Sequence, residues 1–248
     1  MRKVISDFEK NVLERSPNLG CYELRKNISL YLGRSRGIYV SAEQIVIGAG
    51  SEYLYGLITS LLGRDNKFAI ESPSYKQIEQ VYETLGINFV KLKLGKDGLE
   101  SSELWNSDAN VLHVSPYRSY PSGVSASASK KHEYISWANA DNRFVIEDDF
   151  ESEFSVSKKP EETLFATSKL NNVIYLNTFS KTISPSLRVG YMVLPEKLSE
   201  KFNKKLGFYS CTVPTYVQYV IAELIANGDF ERHINRVRRQ KRIIQKTI

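Results

Sequence analysis

Short apolar runs alternate with longer stretches of helical apolar spacing along most of the chain. The short runs are typical of buried strands, and the longer stretches favour amphipathic helices between them. Strands that alternate with helices predict an α/β fold, here three layers (α/β/α) with a mostly parallel central sheet. The predicted strands lie within 41–51 and at 67–70, 87–92, 110–114, 144–146, 173–176 and 192–194. The predicted helices are 2–15, 23–32, 52–62, 76–85, 100–105, 130–139, 196–206, 216–226 and 229–248.

The composition is that of an ordinary globular protein. Of the 248 residues, 42% are hydrophobic and 25% are charged, which suits one large domain or two small ones. No apolar run reaches the roughly 18 residues of a transmembrane helix, and the first residues lack the apolar region of a signal peptide. Cys21 and Cys211 have neither metal-ligand spacing nor the pattern of a disulfide framework. We therefore expect a cytoplasmic protein with no metal site and no membrane partner.

Most of the net charge of +6 lies in the last predicted helix. Residues 229–248 hold seven Lys or Arg against Asp229 and Glu231, so this segment alone carries +5. A basic segment of this kind is found in proteins that touch nucleic acid or membranes. However, Phe230, Ile234, Val237, Ile244 and Ile248 share one helical stripe, as in a helix with an apolar seam and a solvated basic face. We favour that second interpretation and expect no nucleic-acid binding through this portion.

A lysine among small hydroxyl residues follows the predicted strand 173–176. Lys181 has Thr178 and Ser180 just before it and Arg188 seven positions after it. A lysine amine in such a setting suits a Schiff base with a cofactor aldehyde, while the hydroxyls and the guanidinium suit its phosphate. The alternative is an ordinary solvated turn, because most lysines are surface residues.

A block of carboxylates, residues 147–154, follows the predicted strand 144–146. Carboxyl ends of strands in open α/β sheets border the crevice where ligands bind. There Asp148 would pair with a protonated pyridine nitrogen, which keeps pyridoxal phosphate an electron sink. The 33 residues between Asp148 and Lys181 leave room for a crossover and one more parallel strand. The alternative is a solvated acidic loop.

A glycine-rich turn leads from the first predicted strand into helix 52–62. Free backbone N–H groups and the positive end of a helix dipole make such a turn an anion site, beside Gly50 and Ser51. The alternative is that Ser51 is an ordinary helix N-cap and that the glycines only permit a tight turn.

Together, the blocks at 147–154 and 178–191 resemble the fold-type-I pyridoxal-phosphate enzymes, the aspartate-aminotransferase superfamily. The likeness is closest to the aminotransferase-like domain of MocR-type regulators of the GntR superfamily. Those proteins share an EDD-aromatic-x-SEF block followed by TFSK and P-x-LR-x-GY, and the same letters occur here. The resemblance runs from about Gly20 to the last helix. It implies one antiparallel strand in the sheet and a homodimer with the cofactor near the subunit boundary.

The resemblance also implies roles for individual residues. Gly50, Ser51 and Glu52 would cradle the cofactor phosphate, and Tyr75 would stack on the pyridine face. Two positions depart from the common pattern. Tyr120 stands where many aminotransferases have Asn, although MocR proteins also carry an aromatic residue there. Phe150 replaces a Tyr that bonds the cofactor's phenolic oxygen, a loss of roughly 0.5–1.5 kcal/mol.

By the same resemblance, residues 1–40 are an N-terminal helical segment and 41–228 the pyridoxal-phosphate-binding large domain. Residues 229–248 are then a basic helix leading to an absent C-terminal domain. In the family that small domain supplies an arginine for the substrate carboxylate, and MocR regulators begin with a winged helix-turn-helix domain. Neither has a counterpart among these residues. His113 is expected to be a satisfied strand residue without acid–base work.

The predicted function is amino-group transfer between an amino acid and a keto acid through a Lys181 Schiff base. The cofactor is pyridoxal 5′-phosphate, the other ligand is an amino acid, keto acid or amine, and the setting is an enzyme or the effector domain of a MocR-type regulator. The alternative is a non-catalytic cofactor- or effector-binding and dimerisation module. A nicotinamide-dependent oxidoreductase is disfavoured because no G-x-G-x-x-G follows a strand.

Overall fold

The computed structural model describes residues 11–154 and 162–247, and the side chains within them up to residue 243. A seven-stranded sheet forms its centre, with the strand order β1-β7-β6-β5-β4-β2-β3. The strands are β1 (Ile45–Gly48), β2 (Phe68–Ser72), β3 (Phe89–Lys93), β4 (Val111–Val114), β5 (Phe144–Asp148), β6 (Val173–Thr178) and β7 (Gly190–Val193). β7 runs antiparallel to both of its neighbours, and the other pairs in the sheet are parallel. The predicted mostly parallel sheet with one antiparallel strand is therefore confirmed.

Helices cover the sheet and connect its strands. They are α1 (Tyr22–Arg36), α2 (Ser51–Leu62), α3 (Lys76–Thr84), α4 (Ser101–Trp105), α5 (Ala128–Ala140), α6 (Leu164–Thr167), α7 (Glu196–Leu206), α8 (Thr215–Ala226) and α9 (Asp229–Thr247). Short 3₁₀ turns occur at Asn11–Leu13, Ala42–Gln44, Ser152–Phe154 and Pro185–Leu187. Within the described ranges, no helix is both long and apolar enough to cross a membrane.

Alternate strand residues face opposite helical layers, as the two-residue period of a strand requires. On one face, Val46, Ile146 and Met192 pack in a single cluster with side chains of α2, α3 and α7. On the other face, residues such as Ile45 and Tyr175 pack against α1, α8 and the start of α9, and a second cluster joins β4 and β5 to α5. A sheet buried on both faces reads as continuous apolar strands, which is why the short runs were recognisable. The three-layer prediction is confirmed.

Element ends differ from the sequence prediction where local chemistry decides them. The predicted helix 2–15 falls mostly outside the described residues, and its described part contains the 3₁₀ turn. α1 continues to Arg36 and ends at Gly37, which takes a left-handed conformation at φ 66°. α5 begins two residues before the predicted start because the Ser127 hydroxyl accepts a hydrogen bond from Lys130 N. Gly50, not Ser51, is the N-cap of α2, so the N-cap alternative for Ser51 is wrong.

The basic C-terminal helix has the amphipathic packing that its spacing predicts. Phe230 and Ile234 of α9 are buried against α1 and α8, while Arg232 and Arg236 are exposed. Ile244 and Ile248, the last two positions of the predicted stripe, lie outside the described side chains.

Candidate functional site

Loops from the carboxyl ends of several strands enclose one cavity of about 320 Å³. This volume lies within the range of about 300–1,000 Å³ that is usual for small-ligand sites. Its walls are Ser51, Glu52, Tyr55, Tyr75, Ile78, Ser115, Tyr120, Asp148, Phe150, Thr178, Ser180, Lys181 and Arg188. Ten of the eleven residues singled out from the sequence thus border the same space. The eleventh, Gly50, lies beside it: a Cβ built on Gly50 would be 2.8 Å from Arg188 Nη2.

Asp148 is the last residue of β5 and is buried. Its Oδ2 accepts a hydrogen bond from the Tyr55 hydroxyl, and His113 Nε2 lies 3.4 Å from the same oxygen. Its Oδ1 is buried and has no hydrogen-bond partner among the described residues. An unsatisfied buried oxygen costs about 1–3 kcal/mol, so a donor arriving from a ligand would be stabilised there.

A chain of hydrogen bonds holds Asp148 from behind. The Tyr82 hydroxyl lies 2.7 Å from His113 Nδ1, and the Tyr55 ring packs edge-on against the His113 ring. Burial, together with the nearby Asp148 charge, raises the pKa of Tyr55 and of Tyr82 well above the usual value, so both hydroxyls keep their protons. When Tyr82 donates to Nδ1, the imidazole proton is on Nε2 and points towards Asp148. His113 is thus a satisfied strand residue that also orients the carboxylate.

Lys181 lies in the loop that follows β6. A backbone hydrogen bond from Phe179 N to Val189 O closes this loop, and both of these residues are buried. The Lys181 Nζ is 3.7 Å from Glu151 Oε1 and 4.4 Å from the centroid of the Phe150 ring. A carboxylate and an aromatic face therefore hold the ammonium group at the edge of the cavity.

The start of α2 and Arg188 form the polar end of the cavity. Gly50 has φ 98°, a conformation that glycine adopts without strain, and Ser51 and Glu52 follow in the first turn of α2. Arg188 itself is left-handed at φ 47° after the 3₁₀ turn, and its Nη2 lies 2.6 Å from Glu52 Oε2. Burial raises the pKa of Glu52, but its own backbone N–H and Arg188 outweigh this effect, and the pKa is lower than usual. Thr178 and Ser180 border the same cavity.

Two aromatic side chains, Tyr75 and Tyr120, also line the cavity. The Tyr75 and Tyr120 rings meet edge to face, with centroids 5.8 Å apart and planes at 78°. Such pairs favour each other beyond the area that they bury. Glu71 bonds to the loop that carries Tyr120: its Oε1 accepts from Ser115 N at 3.2 Å, and its Oε2 accepts from Ser119 Oγ at 2.6 Å.

The acidic block after β5 is not a solvated loop, so that alternative is wrong. Glu147, Asp149 and Glu153 are buried together with Asp148. Asp149 accepts from the Tyr175 hydroxyl at 2.7 Å and lies 3.5 Å from the Arg36 Nε. Buried carboxylates require such partners, and these partners fix the loop that carries Phe150 and Glu151.

Sequence reasoning missed Tyr55, Ser115 and Ile78 as residues of the cavity. Tyr55 lies one helical turn after the glycine-rich turn, on the side of α2 that faces the sheet. An apolar helix position of that kind looks the same in sequence whether its side chain packs in the core or reaches a carboxylate.

Comparison with known proteins decides the family. Residues 6–247 match the model of the family described as aminotransferase class I and II. The chain belongs to this family.

Several curated relatives of the chain are transcriptional regulators. The uncharacterized HTH-type transcriptional regulator YdeL of Bacillus subtilis (strain 168) is 33% identical, over 91% of this chain and 50% of that protein. The HTH-type pyridoxine biosynthesis transcriptional regulator PdxR of Corynebacterium glutamicum is 30% identical, over 94% of this chain and 52% of that protein. The chain therefore spans about half the length of the curated relatives it matches. The predicted likeness to MocR-type regulators is confirmed.

A solved structure with the same fold is LysN, the alpha-aminoadipate aminotransferase of Thermus thermophilus. It is 25% identical and superimposes with a TM-score of 0.83, over 96% of this chain and 61% of that one. That enzyme is complexed with N-(5′-phosphopyridoxyl)-L-leucine.

Proposed function

We propose that this domain binds pyridoxal 5′-phosphate through the Lys181 amine and serves as the effector domain of a MocR-type regulator. The observation that carries the proposal is the free Oδ1 of Asp148, a buried acceptor without a partner among the described residues, in the cavity that Lys181 also borders. A protonated pyridine nitrogen is the donor that this oxygen lacks. The residues present thus fit the cofactor.

Each part of the cavity would hold a different part of the cofactor. Asp148, kept in place by Tyr55 and His113, would accept a hydrogen bond from the protonated ring nitrogen. Backbone N–H groups at the start of α2 and the Arg188 guanidinium would bind the phosphate. Tyr75 would lie against the ring.

When bound, pyridoxal phosphate supplies an electron sink for the bonds at an amino acid's α-carbon. Lys181 is the residue whose amine would hold the cofactor's aldehyde group. The same amine, when free, would carry the proton at the α-carbon of a bound amino acid. Glu151, 3.7 Å from Nζ, would hold the ammonium form of Lys181 when no cofactor is bound to it.

A second candidate function is transamination as an end in itself. The presence of both Lys181 and Asp148 on the cavity favours it, because together they provide the proton carrier and the ring-nitrogen partner. The naming of its relatives as transcriptional regulators favours the effector role instead. In addition, Phe150 lacks the hydroxyl that would bond the cofactor's phenolic oxygen. A homodimer is part of either proposal.

The covalent bond to Lys181 is tested by trapping. The protein is incubated with pyridoxal phosphate, reduced with borohydride, digested and analysed by mass spectrometry. We expect the pyridoxyl group on the peptide that contains Lys181, and its loss in Lys181→Ala. Lys204→Ala, which removes an exposed lysine of α7, is the matched control and should label as the native chain does. Equal labelling of the native chain and Lys181→Ala refutes the proposal.

Turnover separates the two candidate functions. The loaded protein is mixed with a panel of amino acids and α-keto acids, and both the absorbance of the cofactor and the amount of product are followed. A spectral change without product over many cofactor equivalents supports the effector role. Sustained product formation that Asp148→Ala abolishes supports transamination.

A further inference from the structure

Glu52 places a carboxylate at the polar end of the cavity, where the proposed function requires a phosphate. Its Oε2 lies 2.6 Å from Arg188 Nη2 and 3.4 Å from the Ser51 hydroxyl. These are two donors of the kind that bind a phosphate at a helix N-terminus. The Glu52 carboxylate thus accepts hydrogen bonds from the donors that would otherwise bind a phosphate.

We propose that Glu52 is a built-in competitor of the cofactor's phosphate and sets the affinity of this domain for phosphorylated ligands. The proposal rests on the proposed function, because it concerns the same cavity. To bind, a phosphate must take Arg188 from Glu52 and then remain next to the displaced carboxylate. Both steps oppose binding, whereas a ligand without a phosphate meets neither.

The geometry allows this exchange without unfolding the site. The Glu52 side chain is 34% exposed and the Arg188 side chain is 54% exposed, so the carboxylate can turn to solvent once its partner is taken. Gly50 leaves no side chain between Arg188 and the start of α2, where a Cβ would be 2.8 Å from Nη2. The guanidinium can therefore serve either anion from the same position.

Such a competitor suits a domain that responds to the concentration of its ligand. A site that binds its cofactor too tightly stays occupied at all concentrations. A competing carboxylate raises the dissociation constant and leaves the rest of the cavity unchanged, so occupancy follows the supply of the ligand.

The test measures the dissociation constants of pyridoxal phosphate and of pyridoxal, which lacks the phosphate, by absorbance titration. Glu52→Gln removes the charge that repels the phosphate and competes with it for Arg188, so we expect this variant to bind pyridoxal phosphate roughly tenfold more tightly. Pyridoxal should bind the native chain and Glu52→Gln within about twofold, because it brings no competing charge. Raising the salt concentration from about 0.05 M to about 0.5 M should reduce the difference between the native chain and Glu52→Gln in their dissociation constants for pyridoxal phosphate, because salt screens exposed charges.

Glu231→Gln is the matched control. Glu231 pairs with Arg34 at 3.3 Å, and the two side chains have exposures of 38% and 54%, close to those of Glu52 and Arg188. This pair joins α9 to α1 and does not border the cavity. Glu231→Gln removes the same charge and the same kind of ion pair, and it should leave both affinities unchanged. Glu52→Ala is a second variant that removes the charge without an amide and should tighten binding in the same direction.

The outcomes separate the two proposals. Unchanged or weaker binding of pyridoxal phosphate by Glu52→Gln and Glu52→Ala, with Lys181 still labelled, overturns the role of Glu52 alone. Equal tightening of pyridoxal and pyridoxal phosphate also overturns it, because the effect would not depend on the phosphate. No trapped label on Lys181 in the native chain or in either variant overturns the proposed function, and the role of Glu52 with it.

Discussion

The glutamate that supports the Tyr120 loop makes the stability of the domain depend on pH. Glu71 is 7% exposed at the end of β2. Its oxygens accept hydrogen bonds from Ser115 N and Ser119 Oγ. Burial raises the pKa of this carboxyl from 4.5 to about 7, although the two hydrogen bonds oppose the shift. The carboxyl is thus more easily ionised in the unfolded chain than in the folded one.

The direction of this pH dependence follows from the number of protons that the folded and unfolded states bind at Glu71. Between pH 4.5 and about 7, the folded state binds more protons at Glu71 than the unfolded state does, so the free energy of unfolding falls as the pH rises. Above about pH 7 the loss is complete. At 1.36 kcal/mol for each pH unit between the two values, it is about 3 kcal/mol. Glu71→Gln removes the ionisation, and its amide oxygen can still accept from Ser115 N while its amide N–H can donate to Ser119 Oγ.

We therefore expect Glu71→Gln to be more stable than the native chain at about pH 8, by up to ~3 kcal/mol. At about pH 5 the advantage should shrink to less than ~1 kcal/mol. Urea unfolding at a series of pH values measures both quantities. The buried Glu147 and Glu153 contribute equally to both proteins and cancel from the comparison. Glu200→Gln, an exposed substitution in α7, is the control and should follow the native chain at every pH. A difference that does not vary with pH, or a Gln variant that is less stable at pH 8, would refute the reasoning.

Three further substitutions, one of them with a matched glycine control, test the cavity. Phe150→Tyr should restore a donor beside the cofactor and tighten pyridoxal phosphate binding by roughly 0.5–1.5 kcal/mol, measured by absorbance titration; unchanged affinity would contradict it. Gly50→Ala should lower the free energy of unfolding by about 1–2 kcal/mol, measured with urea, because φ is 98° and the new Cβ would clash with the Arg188 guanidinium. The control is Gly56→Ala, which has open space around it and should stabilise its helix by up to ~1 kcal/mol. Tyr55→Phe should cost about 1.5–3 kcal/mol in the same measurement, because Asp148 loses a hydrogen bond to its buried charge and keeps only His113 Nε2, at 3.4 Å, on that oxygen. A neutral result would argue against that hydrogen bond.

Much of the fold was predictable because its strands are buried on both faces. β6, for example, is buried at all six positions, so its apolar run stands out from the polar turns around it. The first strand was recognised for the same reason, and the glycine turn after it was recognised because glycine permits positive φ. Helix ends were less predictable, since a cap such as Ser127 acts through a hydrogen bond that spacing does not reveal.

The meeting of Asp148 with Lys181 around one cavity could be predicted from topology. Both residues follow strands, and the carboxyl ends of parallel strands share one edge of the sheet. β5 and β6 are neighbours in parallel register, with Asp148 beside Leu176, so two segments 33 residues apart in sequence border the same cavity. The roles of these residues remain predictions until the cofactor is trapped.

Ion pairs between residues of distant elements could not be predicted from the sequence. The sequence leaves a solvated acidic loop open as an alternative because the main counter-ion of this block, Arg36, belongs to α1, more than a hundred residues earlier. Likewise, the sequence predicts that Glu52 and Arg188 are both phosphate ligands. Their separation of 2.6 Å in the structure shows that the Glu52 carboxylate pairs with the Arg188 guanidinium. A sequence motif records which residue types a ligand requires, but it does not record which of them satisfy one another when the ligand is away. The free oxygen of Asp148 and the occupied guanidinium of Arg188 are opposite results of that internal pairing. Together they imply that contacts with the ring of a cofactor would favour its binding, whereas the Glu52 carboxylate would oppose the binding of its phosphate.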